Sequence, residues 1–175
     1  MATVIIRPSS DYYKISGISY STGTSAYILV DEATLDTGDY VSKTSGFLDV
    51  VFGWTDSGLS SETINKVTFY KNALCSNGET NNYLIKCDSD GSNMSLLVGF
   101  DNTSGNNYSC ECTVNPLTSS AWTVSDIDNL IIGTRSQTAS SKDTDILYQF
   151  YAVIDYEESA GGDDYTLTCN VGIIS

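Results

Sequence analysis

The chain has 175 residues, 41% of them hydrophobic, enough for one sandwich-sized domain whose core needs no disulfide or metal. Eight basic against 22 acidic residues give a formal net charge of −14, a field that repels phosphate backbones and anionic lipid surfaces and so argues against nucleic-acid and membrane partners. With no histidine in the sequence, serine–histidine and cysteine–histidine nucleophilic sites and histidine-held metals are excluded.

The opening MATVIIRPSS (1–10) has no basic stretch leading into a long apolar one, so no secretory leader is expected and synthesis is placed in the cytoplasm. No apolar run approaches the ~20 residues of a membrane helix. Strands are expected over 3–7, 12–18, 26–30 and 39–42, with a Ser/Thr/Gly turn over 21–25. Tyr12, Tyr13 and Tyr20 fall in this region. They are the tyrosines expected to be most exposed, and they form a candidate aromatic platform for a sugar ring. Asp31, Glu32, Asp36 and Asp39 follow, four carboxylates within nine residues. Oxygen donors so concentrated make a candidate calcium loop, although the order and closing Glu of an EF-hand are missing. The plainer reading is a set of turn-forming residues on an acidic surface.

Further strands are expected over 47–54, 63–71, 82–87 and 94–100. Asn77-Gly78 and Asp90-Gly91 supply the positive φ that tight hairpin turns require. A second hairpin is expected to join 94–100 to 108–114 through the Asn- and Ser-rich segment 102–107. In Tyr108, Cys110, Cys112 and Val114 the apolar residues alternate with polar ones, so the two cysteines share one face of a strand. Five cysteines at irregular spacing form no disulfide framework and no zinc knuckle, and they read as reduced core residues.

A single helical turn is expected near Ser125. Strands over 130–134 and 146–156 come next, and the second is central. Its alternation puts Ile146, Tyr148, Phe150, Ala152, Ile154 and Tyr156 on one face. The acidic, glycine-containing stretch 157–164 reads as a linker, which divides the chain into a sandwich domain (1–156) and a tail (157–175). In the tail, Tyr165, Leu167, Cys169, Val171 and Ile173 alternate as one more strand. It is either the last strand of the same sandwich or an arm that adds to a neighbouring copy. The whole pattern predicts an all-β, antiparallel, jelly-roll-type sandwich with at most one short helical turn.

The phrases IRPSSD (6–11), YILVDEATLDTGDYV (27–41), WTVSDIDNLIIGT (122–134) and YQFYAVIDY (148–156) occur in this order. They resemble a loose group of β-sandwich proteins encoded among the structural genes of tailed phages and prophages. The resemblance implies a jelly-roll or lectin-like domain on the virion: a capsid decoration, head-fibre or tail component without catalytic residues. Its expected partners are other virion proteins, the major capsid or tail protein among them, and further copies of itself. The acidic linker and terminal strand depart from the group. A carbohydrate-binding module or adhesin, with a glycan as ligand, is the alternative. No cofactor is expected beyond the candidate calcium.

Overall fold

The computed structural model describes residues 1–75, 80–104, 106–138 and 143–158. The turn at Asn77-Gly78 and the tail strand with Tyr165, Leu167, Cys169, Val171 and Ile173 lie outside them.

Among the described residues, twelve strands form two antiparallel sheets. In chain order they are β1 (Ala2–Ile6), β2 (Pro8–Lys14), β3 (Ser19–Tyr20), β4 (Val41–Thr44), β5 (Phe47–Trp54) and β6 (Thr63–Cys75), then β7 (Thr80–Lys86), β8 (Ser95–Gly99), β9 (Asp101–Ser104), β10 (Asn107–Cys112), β11 (Ile131–Thr138) and β12 (Thr144–Glu157). One sheet runs β3-β4-β12-β6-β10-β9, with β1 also on β12, and the other runs β2-β5-β11-β7-β8. Within them, β4-β12-β6-β10 faces β5-β11-β7-β8. Successive strands between β4 and β12 are thus dealt to the two sheets in the double Greek-key order of a jelly roll. The expected sandwich and its jelly-roll type are both present.

Alternation builds the core. Leu48, Val50, Phe52 and Trp54 of β5 point inward against Val67 and Phe69 of β6 and Phe150, Ala152 and Ile154 of β12, all buried. Phe150 sits at the centre, with the rings of Trp54, Phe52, Phe69 and Phe100 between 5.1 and 6.4 Å away. The indole nitrogens of Trp54 and Trp122 donate to the carbonyls of Ile132 and Cys112, so neither ring leaves a polar atom stranded in the interior. Cys110 and Cys112 are buried on one face as the alternation requires, with sulfurs 3.8 Å apart and unbridged.

Four local expectations are corrected. The segment 26–30 is not a strand. Tyr27–Leu29 is a 3₁₀ turn, because the Asp11 carboxylate accepts from the backbone N–H groups of Ala26 and Tyr27. Beyond it, Val30 accepts from the Phe150 backbone N–H. It fills the space on one edge of β12 between β4, which pairs with residues 144–147, and β1, which pairs with residues 152–156. Second, β8 and β10 form no hairpin. The chain changes sheets at Phe100, and the hairpin is β9–β10. Third, β6 and β7, on either side of Asn77-Gly78, also belong to different sheets. Fourth, a bulge in β12 between Leu147 and Gln149 switches its parity. Leu147 rather than Ile146 therefore faces the core.

The expected helical turn is present as α1 (Val124–Asp128). Thr123 caps it, and its hydroxyl and the Asp126 carboxylate exchange hydrogen bonds with each other's backbone N–H. Asp90-Gly91 also turns as expected. Gly91 has φ +83 in the connection from β7 to β8.

Candidate functional site

Three places concentrate chemistry-bearing side chains. The first contains two of the expected platform residues. A bulge in β2 between Asp11 and Tyr13 turns Tyr12 and Tyr13 to the same side. With Asp11, Lys14 and Ser89 they line an open recess of about 390 Å³. All three of Tyr12, Tyr13 and Tyr20 are half-buried rather than exposed. Tyr13 packs with Tyr12, Tyr83 and Met94 on a small apolar cluster of Val51, Ile85 and Cys87 outside the second sheet. Its ring leaves no room for a side chain at Gly91. Burial, and then the Asp49 carboxylate, push the Tyr13 phenol pKa upward. Tyr20 packs on the main core instead and meets this recess only through Lys14, whose Nζ lies 5.4 Å from its ring centroid.

The acidic loop is more dispersed than its spacing suggested. Asp36 accepts from the Gly38 backbone, and Asp39 faces the Ser21 hydroxyl at 3.5 Å. The Glu32 pKa is raised, chiefly by burial and then by the charges of Asp31, Asp39 and Asp36. Glu32 therefore feels the other three carboxylates. Among the described residues, no three His, Cys, Asp or Glu side chains converge as a metal-holding group.

The second place lies on the outer face of the first sheet, a recess of about 230 Å³ lined by Tyr70, Asn72, Thr103, Asn107, Gln149 and Tyr151, with Lys71 and Tyr108 at its base. Tyr70 and Tyr151 are register partners on β6 and β12 and stack with centroids 5.1 Å apart and planes 14° from parallel. The bulge before Gln149 sets its side chain on this face, where Nε2 donates to the Glu32 carbonyl. Asn72 Nδ2 donates to Asn107 Oδ1 at 2.7 Å. Each amide is thus held by one of its two polar atoms. The other atoms, Asn72 Oδ1, Asn107 Nδ2 and Gln149 Oε1, make a neutral set of two acceptors and a donor beside two rings.

The third place is interior. Lys71, on the inward face of β6, crosses the sandwich to the second sheet. There its Nζ donates to Asn82 Oδ1 at 2.5 Å, Thr134 Oγ1 at 3.0 Å and Ser136 Oγ at 3.2 Å. The rings of Phe100 and Tyr108 lie 4.9 and 5.6 Å from the nitrogen. All four bonded side chains are buried. Burial lowers the amine pKa to about 7, opposed by the charge of Asp145.

Sequence reasoning missed the second and third places. The signal for Lys71 was its parity with Val67 and Phe69, which sets it inward. The recess around Tyr151 depends on a bulge and on pairing between distant strands, neither of which has a local signature.

The fold and these surfaces define a double-sheet jelly roll with polar, aromatic-edged recesses. No family model matches the chain, and neither a curated protein nor a solved structure matches it.

Proposed function

We propose that this chain is a non-enzymatic virion structural protein, a capsid decoration or a tail or fibre component displayed on the particle surface. The observation that supports it most is the double Greek-key strand order, an architecture that viral capsid domains share with lectins. A net charge of −14 suits a domain crowded with copies of itself, because mutual repulsion keeps such surfaces from sticking. The major capsid or tail protein and further copies of this chain are its proposed partners, and the virion, assembled in the host cytoplasm, is its proposed location. Gradient-purified particles from the host that carries the gene test this by peptide mapping. Stoichiometric presence of the chain supports the reading, and its absence from intact particles refutes it.

The recess at Tyr70 and Tyr151 favours a second reading, a carbohydrate-binding module or adhesin. Amide oxygens and nitrogens beside aromatic rings match the paired donors and acceptors of vicinal sugar hydroxyls. A glycan array separates the two readings. Saturable binding to defined glycans supports the second, and a blank array leaves assembly as the function.

A further inference from the structure

We propose that Lys71 and Asn82 react with each other to form an intramolecular isopeptide bond, an amide from Nζ to Cγ that joins the two sheets, with Ser136 carrying the proton. Three observations lead there. Lys71 Nζ lies 2.5 Å from Asn82 Oδ1, and a C=O bond is about 1.2 Å, so the electrophilic Cγ is no more than about 3.7 Å from the amine. That is close to the approach of about 3–3.5 Å at which held groups react. Ser136 Oγ then touches both partners, accepting from Nζ at 3.2 Å and donating to Asn82 Oδ1 at 3.1 Å. It polarises the carbonyl it donates to and stands ready for the proton the amine must lose. Finally, the site is closed to water. Lys71, Asn82, Thr134 and Ser136 are 1–6% exposed, so hydrolysis does not compete with the amine.

Two features hold the reacting groups in place. The Phe100 backbone N–H donates to the Asn82 carbonyl, which fixes β7 at this point, and the Phe100 and Tyr108 rings flank the amine. The groups facing the nitrogen that can carry charge are Asp145 from β12 and the phenol of Tyr108 from β10. With its pKa lowered to about 7, the amine is in good part unprotonated near neutrality, the form that can attack.

The bond-making step balances without any other reactant. The Nζ lone pair adds to Cγ, and an Nζ proton passes to Ser136 Oγ as the serine proton passes to Oδ1. Collapse of the tetrahedral carbon restores C=O as the Oδ1 proton passes to the amide nitrogen, which leaves as ammonia. One C–N bond forms, one breaks, and nothing is oxidised or reduced. The product links β6 to β7 across the sandwich, independently of hydrogen bonding.

The test is the intact mass of the full-length protein after incubation at pH 8, with tandem mass spectrometry of its tryptic peptides. The expected mass is one ammonia below that of the sequence. A branched peptide joining residues 71 and 82 and no tryptic cleavage after Lys71 should accompany it. The Lys71→Arg protein should keep the full sequence mass, and Ser136→Ala should form the bond more than tenfold more slowly. If Lys71→Arg does not fold, Asn82→Ala serves as the second control. Wild-type protein at full sequence mass, cleaved normally after Lys71, would overturn the proposal. So would an ammonia loss that persists in Lys71→Arg, since that loss would arise at another asparagine.

Discussion

Arg135 and Asp49 stand opposite each other on β11 and β5, and the guanidinium donates in parallel from Nε to Oδ1 at 2.6 Å and from a terminal nitrogen to Oδ2 at 2.7 Å. Asp49 is 1% exposed. The pair is roofed by the Phe47 ring, 4.3 Å from the guanidinium carbon, and it borders the outer cluster that supports Tyr13. The two-point geometry orients both groups and holds the outer surface of the second sheet, so a carboxylate is tolerated in an otherwise apolar setting.

Asp49→Asn leaves the guanidinium without its counter-charge in a half-buried place. Loss of one partner from such a pair costs about 3 kcal/mol or more. Urea unfolding should show a lower midpoint with an unchanged slope. A midpoint within error of wild type would mean that desolvation of the pair already offsets its attraction.

Glu32 gives the opposite sign. Burial, then the charges of Asp31, Asp39 and Asp36, raise its folded-state pKa above the ordinary 4.5. Its contribution is therefore fully present below the unfolded value and is lost as pH rises through the raised one. Glu32→Gln removes that loss and should stabilise the protein at pH 7, by at most about 1 kcal/mol because water still screens the group. The difference should vanish as pH falls below the ordinary value, as thermal melts across pH 4–8 would show. The same variant tests calcium. An ion held by the four carboxylates would raise the wild-type Tm and not that of the variant. A wild-type Tm indifferent to calcium removes this loop from consideration.

Gly133 marks a closer constraint. A Cβ at this position would lie 1.9 Å from the Val50 carbonyl oxygen, in the middle of the β5–β11 ladder. Because the obstruction is backbone, Gly133→Ala must push the strands apart, at a cost of about 3 kcal/mol. Circular dichroism melting should show the loss. An unchanged Tm would mean that β11 can shift without breaking its pairing to β7.

These residues show where the sequence was legible. Strand β5 begins and ends where its apolar alternation does, from Phe47 to Trp54. Cys110 and Cys112 follow their spacing into the core, and the helical turn expected near Ser125 runs from Val124, with Thr123 rather than Ser125 as its cap. What was not legible depends on partners distant in sequence. Residues 26–30 have strand composition, yet Asp11 and Phe150 fix them as a turn and plug. The bulges beside Tyr12 and Tyr148 reverse parity without a residue that announces it. The chain's change of sheet at Phe100 looks, in sequence, like the start of a hairpin loop. The candidate platform suffered most from this: Tyr12, Tyr13 and Tyr20, expected to be exposed, are half-buried, the first two on the outer cluster and Tyr20 on the main core.

The recess at Tyr151 is the better place to look for a ligand, and its size sets what to look for. At about 230 Å³ it falls below the range of about 300–1,000 Å³ used by drug-sized molecules and fits a single sugar ring. The lining amides are uncharged, so a neutral glycan should be preferred to a sialylated one, which the net charge of −14 would repel. Tyr151→Ala removes one ring of the stacked pair, and Asn72→Ala removes both an acceptor and the group that orients Asn107. Each should weaken binding by about tenfold, the loss of one good contact, with Tm changed little for the partly exposed Tyr151. Tyr12→Ala should leave that binding unchanged. Isothermal titration with the strongest array hit distinguishes the two recesses: loss of affinity in Tyr12→Ala but not in Tyr151→Ala would move the ligand to the platform on the second sheet.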